Sequence, residues 1–262
     1  MQDKSDAVLI EKDGRVAVVS LNQPQSLNAM SAGLMQALDH AMDSIAADAD
    51  IRALIVTGHG KAFSAGGDLL EFQGLLDDNP QRLIETLASN QRVFEKIERL
   101  RVPVIGAVNG VAVAGGLELL LCCDVLVAAA GAKIGDGHAK YGVVPAGGAT
   151  VRLFRKLPAN RAKELFFSAA LVAAEDLRAW GLINEIVPPE RLLPRAKEIA
   201  AQFAQQSPEV LAAIKLLALA NADGGTHDGY RAEIDAYTAH VHGKDLAEGL
   251  IAFRDKRPPR YR

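Results

Sequence analysis

Short β-branched apolar runs alternate along this chain with stretches whose apolar residues recur at helical spacing. Val8 to Leu21 reads as a hairpin with Asp13-Gly14 at its turn. Asn22 to Ala29 reads as loop, and Ser31 is placed to N-cap a helix carrying Leu34, Leu38, Met42 and Ile45. Ile51 to Thr57 is the next strand, closed by Gly58. A helix around Leu83 to Leu100 then leads into a second buried strand, Val102 to Val108. Asn109-Gly110 breaks that run, and Gly115-Gly116 open a short helix containing Leu117, Leu119, Leu120 and Leu121. Asp124 to Ala130 is a further strand, followed by a shaped, glycine-rich loop from Ala132 that turns helical over Thr150 to Leu157. Beyond Pro158 the predicted elements are helices at Asn160–Ala169, Ala174–Trp180, Arg191–Gln205, Pro208–Ala220, Thr226–Val241 and Leu246–Arg254. One short strand, Leu182 to Val187, lies among them. The recurring order strand, loop, helix, strand, without a strict sequence repeat, predicts an α/β core over residues 1–190 and a helical region over 191–262.

Composition narrows the class of protein. At 262 residues, 49% of them apolar and 23% charged, the chain suits a soluble globular fold. A net charge of −3 with no long basic run argues against nucleic acid as a partner. No apolar stretch reaches membrane-spanning length, and Met1 to Asp6 does not read as a signal peptide. The two cysteines, Cys122 and Cys123, are adjacent and poorly placed to staple the fold, so a cytoplasmic location is expected.

Candidate chemistry concentrates in three glycine-rich stretches. At Gly115-Gly116 the backbone can be approached closely, and the free N–H groups of a helix start stabilise negative charge. Glu118 sits one turn further on, a lone carboxylate inside a leucine run. An oxyanion donor and a general base are one reading of this pair; close strand–helix packing and a dipole-favoured Glu are the other. Gly60 to Leu69 follows a strand and can turn its amides inward, or it can be an ordinary turn in which Asp68 caps the next segment. His138 and Asp136 are the titratable residues of the third stretch, and a lone loop histidine is more often a surface or capping residue than a catalyst. Neither dinucleotide nor P-loop signatures occur. His240 and His242 have the wrong spacing for a metal on one helix face, so no metal is expected.

Taken in order, these stretches resemble the enoyl-CoA hydratase/isomerase (crotonase) family over nearly the whole chain. The matching pieces are Asn22 to Ala29, Lys61 to Leu69, Val108 to Leu119, Cys123-Asp124, Gly142 to Thr150 and Trp180 to Val187. The resemblance implies a crotonase-like spiral of repeated β-β-α units with C-terminal helices that form a homotrimer, or a dimer of trimers. It implies an acyl-CoA thioester as substrate, with coenzyme A part of that substrate and no separate cofactor. The amides of Gly67 and Gly115 would form the oxyanion hole, each donor worth roughly 3–4 kcal/mol of barrier. Coenzyme A would run past Gln25, Ser26 and Leu27 and along Ala65, Gly66, Gly67, Asp68 and Leu69.

One position departs from the family pattern. A typical hydratase sets two glutamates around the attacked double bond. Glu118 matches the first, whereas the second, four positions before Gly142, is His138. The expected reaction is hydration of a 2-enoyl-CoA to a 3-hydroxyacyl-CoA, with Glu118 as acid/base and His138 in place of the second glutamate. Isomerisation, C–C cleavage or hydrolysis of a specialised acyl-CoA, and a non-catalytic acyl-CoA-binding scaffold, stay open. Asp136 is a reserve carboxylate whose side chain, two residues along an extended loop, would point elsewhere.

Overall fold

The computed structural model describes residues 7–221, 234–235, 237–238 and 244–261. Strands rich in Val, Ile and Ala, apolar at successive positions, form the inner part of a six-stranded sheet and are buried on both faces, while its first strand is largely exposed. Its order is β1 (Val8–Asp13), β2 (Val16–Leu21), β3 (Ala53–Gly58), β5 (Val104–Val108), β7 (Val125–Ala129) and β10 (Glu185–Val187). Only β1 and β2 pair antiparallel. Their turn is Gly14-Arg15, one residue beyond the expected Asp13-Gly14, because Gly14 at φ +60° takes the first turn position and Asp13 still pairs with Val16. Leu54 and Val56 of β3 face the main core, against α1 (Ala32–Ala47), α3 (Pro80–Glu98) and α4 (Gly115–Leu121). Ala53 and Ile55 point the other way, onto Leu192, Ala196 and Ile199 of α8 (Leu192–Ala204).

A second sheet contains β4 (Ala62–Ser64), β6 (Val111–Val113), β8 (Lys133–Gly135) and β9 (Val172–Ala173). The first three are parallel neighbours, and β9 adds an antiparallel edge. These strands have two or three residues each, too few to display alternation, and the sequence presents them as parts of glycine-rich loops.

The two sheets grow together. β3 is followed by β4 and then α2 (Leu69–Asp78) and α3; β5 by β6 and α4; β7 by β8 and α5 (Ala149–Lys156). Each winding thus adds one strand to each sheet and then a helix, the expected spiral of β-β-α units. Its consequence is positional: the carboxyl ends of β4, β6 and β8 lie side by side, and Gly67, Gly115 and His138 each follow one of them within three residues.

The remaining helices are α6 (Ala159–Ser168), α7 (Ala174–Ala179), α9 (Pro208–Asn221) and a C-terminal helix, Lys244–Arg254. All lie within two residues of their expected limits. The helix expected at Thr226–Val241 falls outside the described residues, apart from four helical positions, and so do His240 and His242. Lys215 ties α9 to the core, its Nζ donating to Asp124 Oδ2 at 2.7 Å and to the Val102 carbonyl at 3.1 Å.

Candidate active site

Three turns converge on one cavity of about 440 Å³, whose wall includes Ala65, Gly67, Leu69, Gly115, Glu118 and His138. The apolar part of the wall comes from Phe72 of α2, Leu87 and Phe94 of α3, and Val143 and Val144. Such a cavity suits an apolar chain held against a few polar groups at one end.

The first polar group is a pair of amides. Gly115 opens α4, and the helix's first backbone bond is made by Glu118 N to Ala114 O at 2.9 Å. The Gly115 N–H therefore stands ahead of the intrahelical ladder, at its positive end. The Gly67 nitrogen is its neighbour, since a β-carbon built on Gly115 would lie 3.5 Å from it and 2.8 Å from Met30 Sδ. Ala114, just before Gly115, has φ +51° and ψ −116°, a strained setting for an L residue. Hydrogen bonds on both sides hold it there, Ala114 N to Gly135 O and Glu118 N to Ala114 O.

Glu118 is only 4% exposed. Its Oε1 accepts from Gly147 N at 2.8 Å and Ala149 N at 3.2 Å, so the carboxylate sits at the amino end of α5. Burial pushes its pKa above the ordinary value, partly opposed by the charge of His138 and by the two amides. A β-carbon on Gly147 would collide with Oε2, which accounts for glycine at that place.

His138, also on the cavity wall, opens a 3-10 turn, His138–Tyr141. Its Nδ1 lies 2.8 Å from Asp136 Oδ1, and its backbone N donates to Asp136 Oδ2 at 3.2 Å. A carboxylate only accepts, so Nδ1 carries the hydrogen and Nε2 is the end left for the cavity. Burial alone would lower the imidazole pKa, but the Asp136 hydrogen bond and charge, with the charge of Glu118, outweigh it and raise the value.

Asp136 therefore does not point away. Gly137 at φ +71° turns the chain between it and His138, and the two side chains meet across that turn. Asp136, 1% exposed, is the residue that sequence reasoning passed over as a partner. A glycine between a carboxylate and an imidazole was the available signal.

Gln25, Ser26 and Leu27 are exposed on a 3-10 turn, Pro24–Ser26, outside the cavity wall. They are stitched to the next stretch, with Ala65 N donating to Leu27 O at 2.9 Å, Met30 N to Gly66 O at 2.7 Å and Ser64 Oγ to Asn28 O at 2.8 Å. Asn28 is fully buried, its amide donating to the carbonyls of His59, Ala62 and Phe63. Asp68 caps α2, accepting from Leu70 N and Glu71 N. Among the described residues no cluster of three metal-binding side chains occurs, and no helix is long and apolar enough to cross a membrane.

Residues 11–262 match the family model for enoyl-CoA hydratase/isomerase. The chain is 35% identical to a crotonyl-CoA hydratase of Syntrophomonas wolfei and 34% identical to a short-chain-enoyl-CoA hydratase of Clostridium acetobutylicum, over 95% of this chain and 95% of the relative in each case. Its fold is similar to the crystal structure of an enoyl-CoA hydratase from Bacillus anthracis. The TM-score is 0.92 at 34% identity, covering 97% of this chain and 98% of that one.

Proposed function

The chain belongs to the enoyl-CoA hydratase/isomerase family, and on that premise we propose that it adds water across the double bond of a 2-enoyl-CoA to give the 3-hydroxyacyl-CoA. The observation that carries this reading is a buried carboxylate and a carboxylate-backed imidazole on the wall of one apolar cavity, beside two adjacent amides.

In this mechanism the thioester oxygen accepts from the amides of Gly67 and Gly115. Their fixed dipoles favour the enolate over the ground-state carbonyl. Glu118 takes a proton from water as the water oxygen bonds to the β-carbon. The imidazolium of His138, its Nδ1–H held by Asp136, gives a proton to the α-carbon from Nε2. Glu118 then holds the water's proton and His138 is neutral, and a proton passing from one to the other through solvent restores both. The raised His138 pKa keeps a usable fraction of imidazolium near neutral pH, which is what a donor in that position requires.

Gln25, Ser26 and Leu27, with Ala65 to Leu69, flank the coenzyme A moiety in this reading, and no separate cofactor takes part. The C-terminal region over 191–262 assembles the chain into a homotrimer or a dimer of trimers, and Ile214, 57% exposed on α9, fits such an apolar contact. The buried, unpaired thiols of Cys122 and Cys123 suit the cytoplasm.

Following crotonyl-CoA absorbance with wild type and Glu118→Gln tests the proposal. General-base loss should lower kcat by roughly 10²- to 10⁴-fold. Equal rates in the two proteins would remove Glu118 from its role. The Asp136–His138 pair also favours one second reading, thioester hydrolysis, in which His138 activates water for attack on the carbonyl carbon and the coenzyme A thiolate leaves. Release of free thiol, rather than loss of the conjugated double bond, would mark that reaction.

A further inference from the structure

Arg152 lies in the first turn of α5, is only 5% exposed, and does not line the cavity. Its Nη1 donates to the Gly147 carbonyl at 2.7 Å and its Nη2 to Glu98 Oε2, at the end of α3, at 2.9 Å. Gly147 is the residue whose N–H holds Glu118 Oε1 at 2.8 Å. It is thus gripped at both ends, by Glu118 on the cavity side and by a buried guanidinium behind it. Gly148 at φ +101° passes so close to the guanidinium that a β-carbon there would overlap Nη1. The next amide, Ala149 N, returns to the same carboxylate oxygen.

We propose that Arg152, anchored by Glu98, is a positioning residue for Glu118: it fixes the 147–149 turn so that both amides face one carboxylate oxygen. Without that grip the Gly147–Gly148 peptide is free to rotate, since glycine offers little barrier to it. Glu118 would then lose hydrogen bonds that favour its ionised form, and the sign follows: fewer donors raise its pKa. A base must be ionised to act, so the acidic limb of activity moves to higher pH. The inference rests on Glu118 being the base, and it adds that the base is set from a helix outside the cavity.

The test uses the full-length wild type with Arg152→Gln, Arg152→Lys and Glu98→Gln. Crotonyl-CoA hydration is followed against pH, and the Glu118 carboxyl is titrated by NMR on carboxyl-labelled protein. Arg152→Gln should lower kcat roughly 10- to 100-fold with KM little changed. It should also raise both the acidic limb and the Glu118 titration midpoint by about half a unit or more. Lysine should recover part of both, and Glu98→Gln should shift them the same way by less. A role in stability alone would lower the melting temperature and leave the midpoint in place. A folded Arg152→Gln protein with the wild-type midpoint overturns the proposal; if that variant does not fold, an unmoved midpoint in Glu98→Gln does so. Failure of the wild type to hydrate crotonyl-CoA would sink the hydration reading instead, and the titration would still decide the role of Arg152.

Discussion

Asp136→Asn keeps the shape of the His138 pair while removing its charge. The Asp136 hydrogen bond and charge both raise the imidazole pKa, so the substitution lowers it. If His138 is the donor to the α-carbon, the basic limb of kcat, where the imidazolium loses its proton, should move down by about one pH unit. A pH–rate profile with crotonyl-CoA measures this, and an unmoved basic limb would rule out His138 as that acid. Glu118 and His138 were both legible in the sequence, one as a lone carboxylate among leucines, the other by its place before Gly142. Asp136 was read only as a reserve carboxylate: the glycine between it and His138 hinted at a turn, but the contact that the turn makes is seen only in the structure. Nor does an alanine in sequence announce strain, yet Ala114 carries it beside Gly115.

Among the elements, α9 shows how one buried cation can dock a helix. Lys215 has a side chain 8% exposed, and its ammonium reaches both Asp124 and the Val102 carbonyl at the entrance to β5. Lys215→Ala leaves that carbonyl and part of the Asp124 charge without their donor, at a cost of about 2 kcal/mol. The expected result is a lower melting temperature with faster hydrogen exchange in α9, while the amides of β3 and β5 stay protected. Most helices and the long strands were readable because each carries enough residues to display its period: Ser31 caps α1 as its position suggested, accepting from Leu34 N, whereas α2 was read only as a segment that Asp68 could cap. The short strands β4, β6 and β8 carry three residues each, and parallel pairing to distant neighbours, not local pattern, makes them strands. They are nonetheless the elements that bring Gly67, Gly115 and His138 together.

At the scale of the whole molecule, the sequence revealed a recurring architecture and not its geometry. That the windings stack in register, with the carboxyl ends of three short strands adjacent, depends on long-range pairing that periodicity cannot express. The same stacking joins the exposed turn around Gln25 and the residues after it to the Ser64 hydroxyl and the backbone of Ala65 and Gly66 through three hydrogen bonds, immediately before Gly67. A grip on the adenosine portion of a substrate would hence be felt, through one stiff connection, at the Gly67 amide, the proposed donor to the reacting oxygen. Distant affinity would be converted into speed. An enoyl-pantetheine, shorn of its nucleotide, should consequently turn over roughly ten-fold more slowly even at saturation. Were saturation to restore the full rate, the handle and the donor would be acting separately.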